Sequence, residues 1–102
     1  MAVIHVVLIQ WRGDTTAAQL ERARSTARGM ANRIPGIDGL NEGPSVSPEG
    51  LEQGHDYALV IRFSDTSARD RYLPHPVHQE LVEQIREHAV AVTVFDLEGA
   101  SS

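Results

Sequence analysis

Apolar residues recur at every second position along three stretches of the chain, and this alternation predicts three β-strands. The first stretch, residues 2–11, is rich in β-branched residues and is apolar at odd and even positions alike, which is typical of a strand covered on both faces. Residues 55–63 and residues 90–97 form two similar segments further along the chain. A fourth, short strand is predicted at residues 39–46, within a region rich in Gly, Pro and Glu.

A different spacing predicts a long helix after the first strand. Residues 13–16 supply turn and capping residues, and the apolar positions that follow lie three or four residues apart. The helix should end at Ile34, because Pro35 disfavours the α conformation in the residue before it. Its predicted buried face consists of Leu20, Ala23, Ala27, Met30 and Ile34.

Pro74 and Pro76 separate two further helices. The first is short, is capped by Ser64 or Asp65, and runs to Tyr72. The second begins after the proline pair and again places apolar residues at helical spacing. Its predicted buried face consists of Val77, Leu81, Ile85 and Ala89.

The elements follow the order β-α-β-β-α-β, which is typical of an α+β, ferredoxin-like fold with two main helices on one face of a sheet. A chain of 102 residues fits a single domain, and we expect residues 98–102 to fray beyond the last strand. The strands are apolar on both faces, whereas the helices cover only one of them. We therefore predict a homodimer that associates through the open sheet face, since monomers rarely expose so much apolar surface.

The acidic composition limits the classes of partner. With 9 Lys and Arg against 14 Asp and Glu, the net charge of −5 opposes a nucleic-acid backbone, and no basic stripe interleaved with aromatic residues is present. The longest apolar run, residues 6–9, is far shorter than the roughly 20 residues that cross a bilayer, and the N-terminus lacks the pattern of a signal peptide. The absence of cysteine excludes disulfides and thiolate chemistry. We expect a cytoplasmic protein that binds neither nucleic acid nor membranes.

Four segments together resemble the stress-responsive α/β-barrel family, known as the Dabb domain: IHVVLIQW, DYALVIRFSD, RYLPHPVHQE and VTVFDLE. The most specific part is the pattern Y-x-x-H-P-x-H with a later F-D. The resemblance spans nearly the whole chain and implies a ferredoxin-like protomer that pairs with a second copy in a dimeric α+β barrel. Some members of the family are known only as stress-induced proteins, whereas others are small-molecule enzymes, including a plant polyketide cyclase and a plant hydroxynitrile lyase.

The resemblance also implies a cavity between sheet and helices. In the polyketide cyclase a tyrosine and a histidine act on a linear substrate, and Tyr72 and His78 stand at the matching positions, as does His5 for a further histidine of the first strand. Two cavity positions differ, because Tyr57 replaces a histidine and Arg24 replaces an aromatic residue. The residues expected to contact a ligand are Tyr57, Leu59, Val7, Ile9, Arg24, Leu81, Val82, Val92 and Val94.

Tyr72 and His78 can act as an acid/base pair. A neutral imidazole accepts a proton near neutral pH, and a phenol with a pKa of about 10 can donate a hydrogen bond to a carbonyl oxygen. His78 would remove a proton next to a carbonyl group, Tyr72 would hold the enolate oxygen, and a backbone carbonyl or His5 would bind the other ring nitrogen of His78. Aldol-type cyclisation, C–C lyase chemistry and isomerisation of a small carbonyl or polyketide-like molecule all use this step.

The same residues also have a structural interpretation. The Tyr72 hydroxyl can satisfy a buried backbone group, and His78 and His5 can be buried rings without a catalytic task. His75 precedes Pro76, a favoured first residue of a helix, and is interpreted as part of the helix start. The alternative function is therefore a non-catalytic, stress-responsive homo-oligomer that its interface stabilises.

No metal or cofactor is predicted. His75 and His78 lie three residues apart, but Pro76 separates them and only Glu80 or Glu83 is available as an acidic third ligand. This spacing is weak evidence for a metal site.

Arg24 and Arg28 lie one turn apart on the first helix. They can bind a substrate carboxylate, or they can form a solvated face that pairs with Glu21. The sequence leaves both interpretations open.

Overall fold

The computed structural model describes residues 1–100. It contains a four-stranded antiparallel sheet and three helices. The strand order is β2-β3-β1-β4. This is the ferredoxin-like α+β fold predicted from the apolar alternation and the helical spacing. The elements are β1 (Val3–Trp11), α1 (Ala17–Arg33), β2 (Ile37–Gly43), β3 (Tyr57–Phe63), α2 (Thr66–Tyr72), α3 (Pro76–His88) and β4 (Ala89–Glu98).

The core lies between the helices and the odd-numbered face of β1 and β3. Ile9, Leu59, Ile61 and Phe63 are buried on this face, and Met30 of α1 packs into the same cluster. Each side chain of this size contributes about 1.5–3 kcal/mol when it is fully buried. The buried face of α1 therefore lies where the apolar spacing predicts it, whereas β1 is apolar on both faces and its pattern does not indicate which face is the inward one.

Capping residues set the starts of α1 and α2. Thr16 and Gln19 form a capping box at the start of α1, in which each side chain accepts a hydrogen bond from the other residue's backbone N–H. Asp65, rather than Ser64, caps α2 by accepting a hydrogen bond from the Ala68 N–H at 2.8 Å. These contacts satisfy N–H groups that the first turn of a helix leaves unpaired.

Several element boundaries differ from those predicted, including the start of β3, which is Tyr57 instead of residue 55. β2 spans Ile37–Gly43 instead of residues 39–46, because Pro44 has no N–H for the strand ladder. α3 ends at His88, so Ala89 begins β4 and does not extend the apolar face of the helix.

Two hydrogen bonds hold the C-terminal tail against the sheet. The Gly99 N–H donates to the Ala2 carbonyl at 2.9 Å, and the Arg62 guanidinium donates to the Ala100 carbonyl. The fraying of residues 98–102 stays a prediction, and these two contacts are what would have to open for it to occur. Residues 101–102 lie outside the described residues.

The sheet face opposite the helices, called the outer face below, is apolar. On this face Ile4 and Val6 of β1 stand opposite Leu97 and Phe95 of β4. Phe95 is 65% exposed and Leu97 is 48% exposed. Exposed large apolar side chains that adjoin one another in this way are typical of an association surface.

Gly36 marks a close approach between the start of β2 and α2. Its φ is +92°, and an added Cβ would lie 2.6 Å from the Cβ of Ala68. We expect Gly36→Ala to lower the free energy of unfolding by about 1–3 kcal/mol, because the new methyl group adds both backbone strain and a clash.

Gly29→Ala is the matched control for this substitution. Gly29 lies within α1, and nothing lies within 4 Å of an added Cβ. The control should raise the free energy of unfolding by about 0.5–1 kcal/mol, since alanine favours a helix more than glycine does. Urea denaturation measures both values, and a Gly36→Ala protein as stable as the wild type would contradict the close approach.

Candidate functional site

The turn between α2 and α3 brings Tyr72 and His78 together. α2 ends at Tyr72 and α3 begins at Pro76, whose ring prevents one continuous helix. His75 is the N-cap of α3, and its Nδ1 accepts a hydrogen bond from the Val77 N–H at 3.1 Å. The interpretation of His75 as part of the helix start is therefore confirmed.

The rings of Tyr72 and His78 are in contact, with 4.1 Å between their centroids. Nδ1 of His78 lies 2.8 Å from the Leu73 carbonyl oxygen. A carbonyl oxygen can only accept, so Nδ1 carries the proton, and Nε2 of the neutral ring is left as the acceptor. The partner of Nδ1 is therefore a backbone carbonyl and not His5.

Burial and nearby charges determine the protonation of this pair. Burial lowers the pKa of His78, and the neighbouring His5 and His75 lower it further, while the backbone hydrogen bond of its ring partly opposes them. Burial and the Asp96 carboxylate raise the pKa of Tyr72. At neutral pH His78 is thus a neutral base, and Tyr72 is a protonated hydrogen-bond donor.

His5 also lies next to Tyr72, with 5.6 Å between ring centroids, and is 4% exposed. Its Nδ1 is 2.6 Å from Oδ1 of Asp96, which stands directly opposite it on β4. The guanidinium of Arg69 donates to Oδ2 of the same carboxylate at 2.8 Å. Burial alone would raise the pKa of Asp96, but the hydrogen bonds from His5 and Arg69 lower it, so this carboxylate is ionised at neutral pH.

A cavity of about 430 Å³ lies between α3 and β4, beside these three rings. Its volume falls within the range of small-molecule sites, roughly 300–1,000 Å³. His5, Tyr72 and His78 contribute polar groups to its lining, and Val92 and Val94 leave it open along β4, since they are 48% and 57% exposed. Six of the nine residues predicted to contact a ligand line it: Leu59, Val7, Leu81, Val82, Val92 and Val94.

Three cavity-lining residues are not among the predicted ones: Leu73, Ile85 and Arg86. Leu73 and Ile85 extend the apolar lining. Arg86 is exposed and donates to Glu83 at 2.9 Å on the same helix. Of these three residues, only Ile85 has a sequence signal, because it belongs to the predicted apolar face of α3.

The structure does not bring Ile9, Tyr57 and Arg24 to this cavity. Ile9 is fully buried and pairs with Tyr57 at the end of the β1–β3 ladder away from His5. The Tyr57 ring packs instead against Trp11, with 5.6 Å between centroids. These three residues do not line the cavity that His78 lines, and their contact with a ligand stays a prediction.

Arg24 and Arg28 are both paired with carboxylates. Arg24 donates to Glu42 through Nε at 2.7 Å and through a terminal nitrogen at 3.2 Å, while Arg28 binds Glu21 and also reaches Glu42 at 3.4 Å. The hydrogen bond from Arg24 lowers the pKa of Glu42 despite the burial of its side chain. The buried Tyr57 hydroxyl lies beside this carboxylate without a well-formed hydrogen bond. The paired-face interpretation is favoured, with Glu42 as an additional partner.

Within residues 1–100, no group of three or more His, Cys, Asp or Glu side chains is arranged to hold a metal ion. Across the same part of the chain, no helix has the length and apolarity needed to cross a membrane. His75, three residues before His78, caps α3 through its Nδ1.

Sequence reasoning misses Asp96 and Arg69 as parts of the site. Asp96 does carry a signal, because it continues the alternation of Val92 and Val94 on the inward face of β4, where a charged residue is unusual. Its partner is decided by the pairing of β1 with β4, which the local pattern does not specify. Arg69 lies on a short helix with no comparable signal.

A family model matches most of the chain. The Stress responsive A/B Barrel Domain model, Dabb, aligns with residues 3–98. The chain belongs to the Dabb family. Olivetolic acid cyclase from Cannabis sativa is 25% identical over 96 residues, which cover 94% of this Dabb chain and 95% of the cyclase.

Solved structures share the fold of this Dabb chain closely. A hydroxynitrile lyase from Passiflora edulis has a TM-score of 0.88 at 14% identity, covering 99% of this chain and 95% of the lyase. A dimeric ferredoxin-like protein of unknown function from Jannaschia sp. CCS1 has a TM-score of 0.87 at 24% identity, covering 97% of this chain and 100% of that protein. At these identities the likeness establishes the fold.

Proposed function

We propose that this Dabb protein binds a small carbonyl compound or polyketide-like molecule in the cavity between α3 and β4, and removes a proton from the carbon next to the carbonyl group. His78 is the base, and Tyr72 is the donor to the carbonyl oxygen. The observation that carries the proposal is the hydrogen bond from Nδ1 of His78 to the Leu73 carbonyl. This bond leaves Nε2 as the proton acceptor of a ring that lines an otherwise mainly apolar cavity.

The proton transfer uses both side chains at once. The proton leaves the α-carbon for Nε2 of His78, and the C–H electron pair forms the C=C bond of an enolate. The carbonyl π electrons move to oxygen, where the Tyr72 hydroxyl stabilises the new charge by a hydrogen bond. The His78 imidazolium keeps its Nδ1–H···O bond to Leu73 throughout, so the ring does not have to reorient when it returns the proton.

The lining of the cavity supports the proposed substrate class. Its polar groups lie together at His5, Tyr72 and His78, and most of the remaining wall is aliphatic. A molecule with one reactive carbonyl group and an apolar body fits this division. The similarity to olivetolic acid cyclase supports a polyketide-like member of that class.

Deuterium exchange at an α-carbon tests the proposal. The protein should catalyse replacement of the α-protons of 2-octanone by deuterium in D₂O, followed by proton NMR, faster than free imidazole at the same concentration. Ligand-observed NMR on the same samples reports binding separately. Exchange no faster than imidazole, together with no binding, would contradict the proposal and favour the non-catalytic, stress-responsive alternative.

The rate of exchange should depend on pH through His78. Its pKa is lowered, so the rate should fall on the acid side with a midpoint below about 6.5, as the base becomes protonated. The raised pKa of Tyr72 keeps its hydroxyl protonated, so the rate should hold to above about pH 10. A proton NMR titration of His78 checks the midpoint, with the signal assigned from a His78→Gln spectrum. An acid midpoint above 6.5 in either measurement would contradict the assignment.

We also propose that two copies associate through the outer face. Phe95 and Leu97 are exposed there beside the apolar side chains of β1. The ferredoxin-like protein from Jannaschia sp. CCS1 is described as dimeric. Pairing two outer faces would remove from water an apolar surface that the helices cannot reach.

A further inference from the structure

We propose that Arg69 is a positioning residue that fixes the proton of His5 on Nδ1 and thereby leaves Nε2 as the free nitrogen of that ring. Arg69 does not touch the cavity. It acts through the Asp96 carboxylate, which lies between the guanidinium and the imidazole.

The contacts form a continuous chain of hydrogen bonds. Arg69 donates to Oδ2 of Asp96 at 2.8 Å, and Nδ1 of His5 lies 2.6 Å from Oδ1. Arg69 is itself oriented by Asp70, to which its Nε donates at 2.8 Å. The side chains of Arg69 and Asp96 are 26% and 27% exposed, whereas that of His5 is 5% exposed, so the chain leads from the protein surface to a buried ring.

The chemistry of the carboxylate determines which ring nitrogen carries the proton. An ionised carboxylate has no hydrogen to donate, so the short contact requires a proton on Nδ1 of His5. The hydrogen bonds from His5 and Arg69 lower the pKa of Asp96 against the effect of its burial, and Arg69 occupies its second oxygen. Without Arg69, the carboxylate would be free to rotate and easier to protonate, and His5 would lose its fixed partner.

The free nitrogen of His5 is available to the cavity. Nε2 makes no hydrogen bond within residues 1–100, and the ring lines the cavity next to Tyr72. Arg69 and Tyr72 lie three residues apart on α2, so the contact with Asp96 also ties the helix that carries Tyr72 to strand β4. One side chain thereby sets the orientation of His5 and the distance of Tyr72 from it.

A tautomer measurement tests the inference without any substrate. In the wild-type protein, long-range ¹H–¹⁵N correlation spectra at pH 7.5 should show Nδ1 of His5 as the protonated nitrogen. In Arg69→Met, which keeps much of the side-chain length but removes the charge and the donors, the proton should move partly to Nε2. Asp96→Asn should shift the spectrum in the same direction and serves as the benchmark.

Arg71→Met is the matched control, since Arg71 is an exposed residue of the same helix. It should leave the His5 spectrum unchanged. Unchanged nitrogen shifts in Arg69→Met, or equal changes in Arg69→Met and Arg71→Met, would overturn the inference.

The consequence for turnover rests on the proposed function. If His78 and Tyr72 catalyse α-proton exchange, Arg69→Met should lower kcat by roughly tenfold with little change in KM, as expected for a residue that orients another. An unchanged kcat would overturn the positioning role in turnover. If no variant and no wild-type sample shows exchange, the proposed function fails, while the tautomer result still decides whether Arg69 positions His5.

Discussion

Replacing His78 by Gln should reduce α-proton exchange by about 10²–10⁴-fold, because the protein loses its general base. Glutamine is the informative choice, since its amide can still donate to the Leu73 carbonyl that His78 binds. Replacing Tyr72 by Phe should reduce exchange by about 10²-fold, through loss of the hydrogen bond to the enolate oxygen. The initial rate of deuterium incorporation into 2-octanone measures both effects.

His75→Asn provides the matched control for these variants. His75 lies three residues from His78 but caps α3 outside the cavity, and asparagine is also a favoured cap. The control should therefore keep both its rate of exchange and its melting temperature. If His78→Gln and Tyr72→Phe retained full activity but lost several degrees in melting temperature, the two residues would be structural and the proposed mechanism would be wrong.

Placing a charge on the outer face should convert a dimer into a monomer. Phe95→Glu introduces a carboxylate that association would bury without a partner, and burying an unpaired charge costs several kcal/mol. The wild type should elute at twice the chain mass in size-exclusion chromatography with light scattering at micromolar concentration. The Phe95→Glu protein should elute at the mass of one chain and should melt at a lower temperature.

Val94→Glu is the matched control, because it places the same charge on the opposite face of the same strand. Val94 is the preceding residue on β4 and is 57% exposed, close to the 65% of Phe95, but it lines the cavity. This variant should stay dimeric and should lose ligand binding. A monomeric wild type, or monomers for both variants, would show that the outer face is not the association surface.

Most of the fold can be predicted from local patterns, because capping residues and prolines mark where its elements begin and end. The alternation along β1 and β3 identifies both strands, and Asp65 is one of two candidate caps in the sequence. β2 is the exception, since a segment with three Gly or Pro residues between Gly39 and Pro44 has little alternation to read. Its position is determined by pairing with β3, and the turn at Gly36 leads into it from α1.

Only part of the candidate site can be predicted from local sequence, because some of its contacts join distant parts of the chain. Tyr72 and His78 are joined by a short proline-containing turn, so their proximity follows from local sequence. The family resemblance predicts Tyr57 and Arg24 in the cavity, whereas the buried Glu42 on a neighbouring strand binds Arg24 elsewhere. Long-range partners of this kind depend on strand register, which a local pattern does not encode.

The hydrogen bonds of the site differ greatly in the length of chain that they span. The contact of His78 with Leu73 spans five residues, whereas that of His5 with Asp96 spans 91. Closing a short segment costs little chain entropy and is fast, while pairing the two ends of the chain is slow. The α2–α3 turn can therefore organise Tyr72 and His78 early in folding, and His5 joins them only when β1 and β4 pair. The complete site therefore forms only after β4 has been synthesised, because Asp96, Val92 and Val94 belong to that strand.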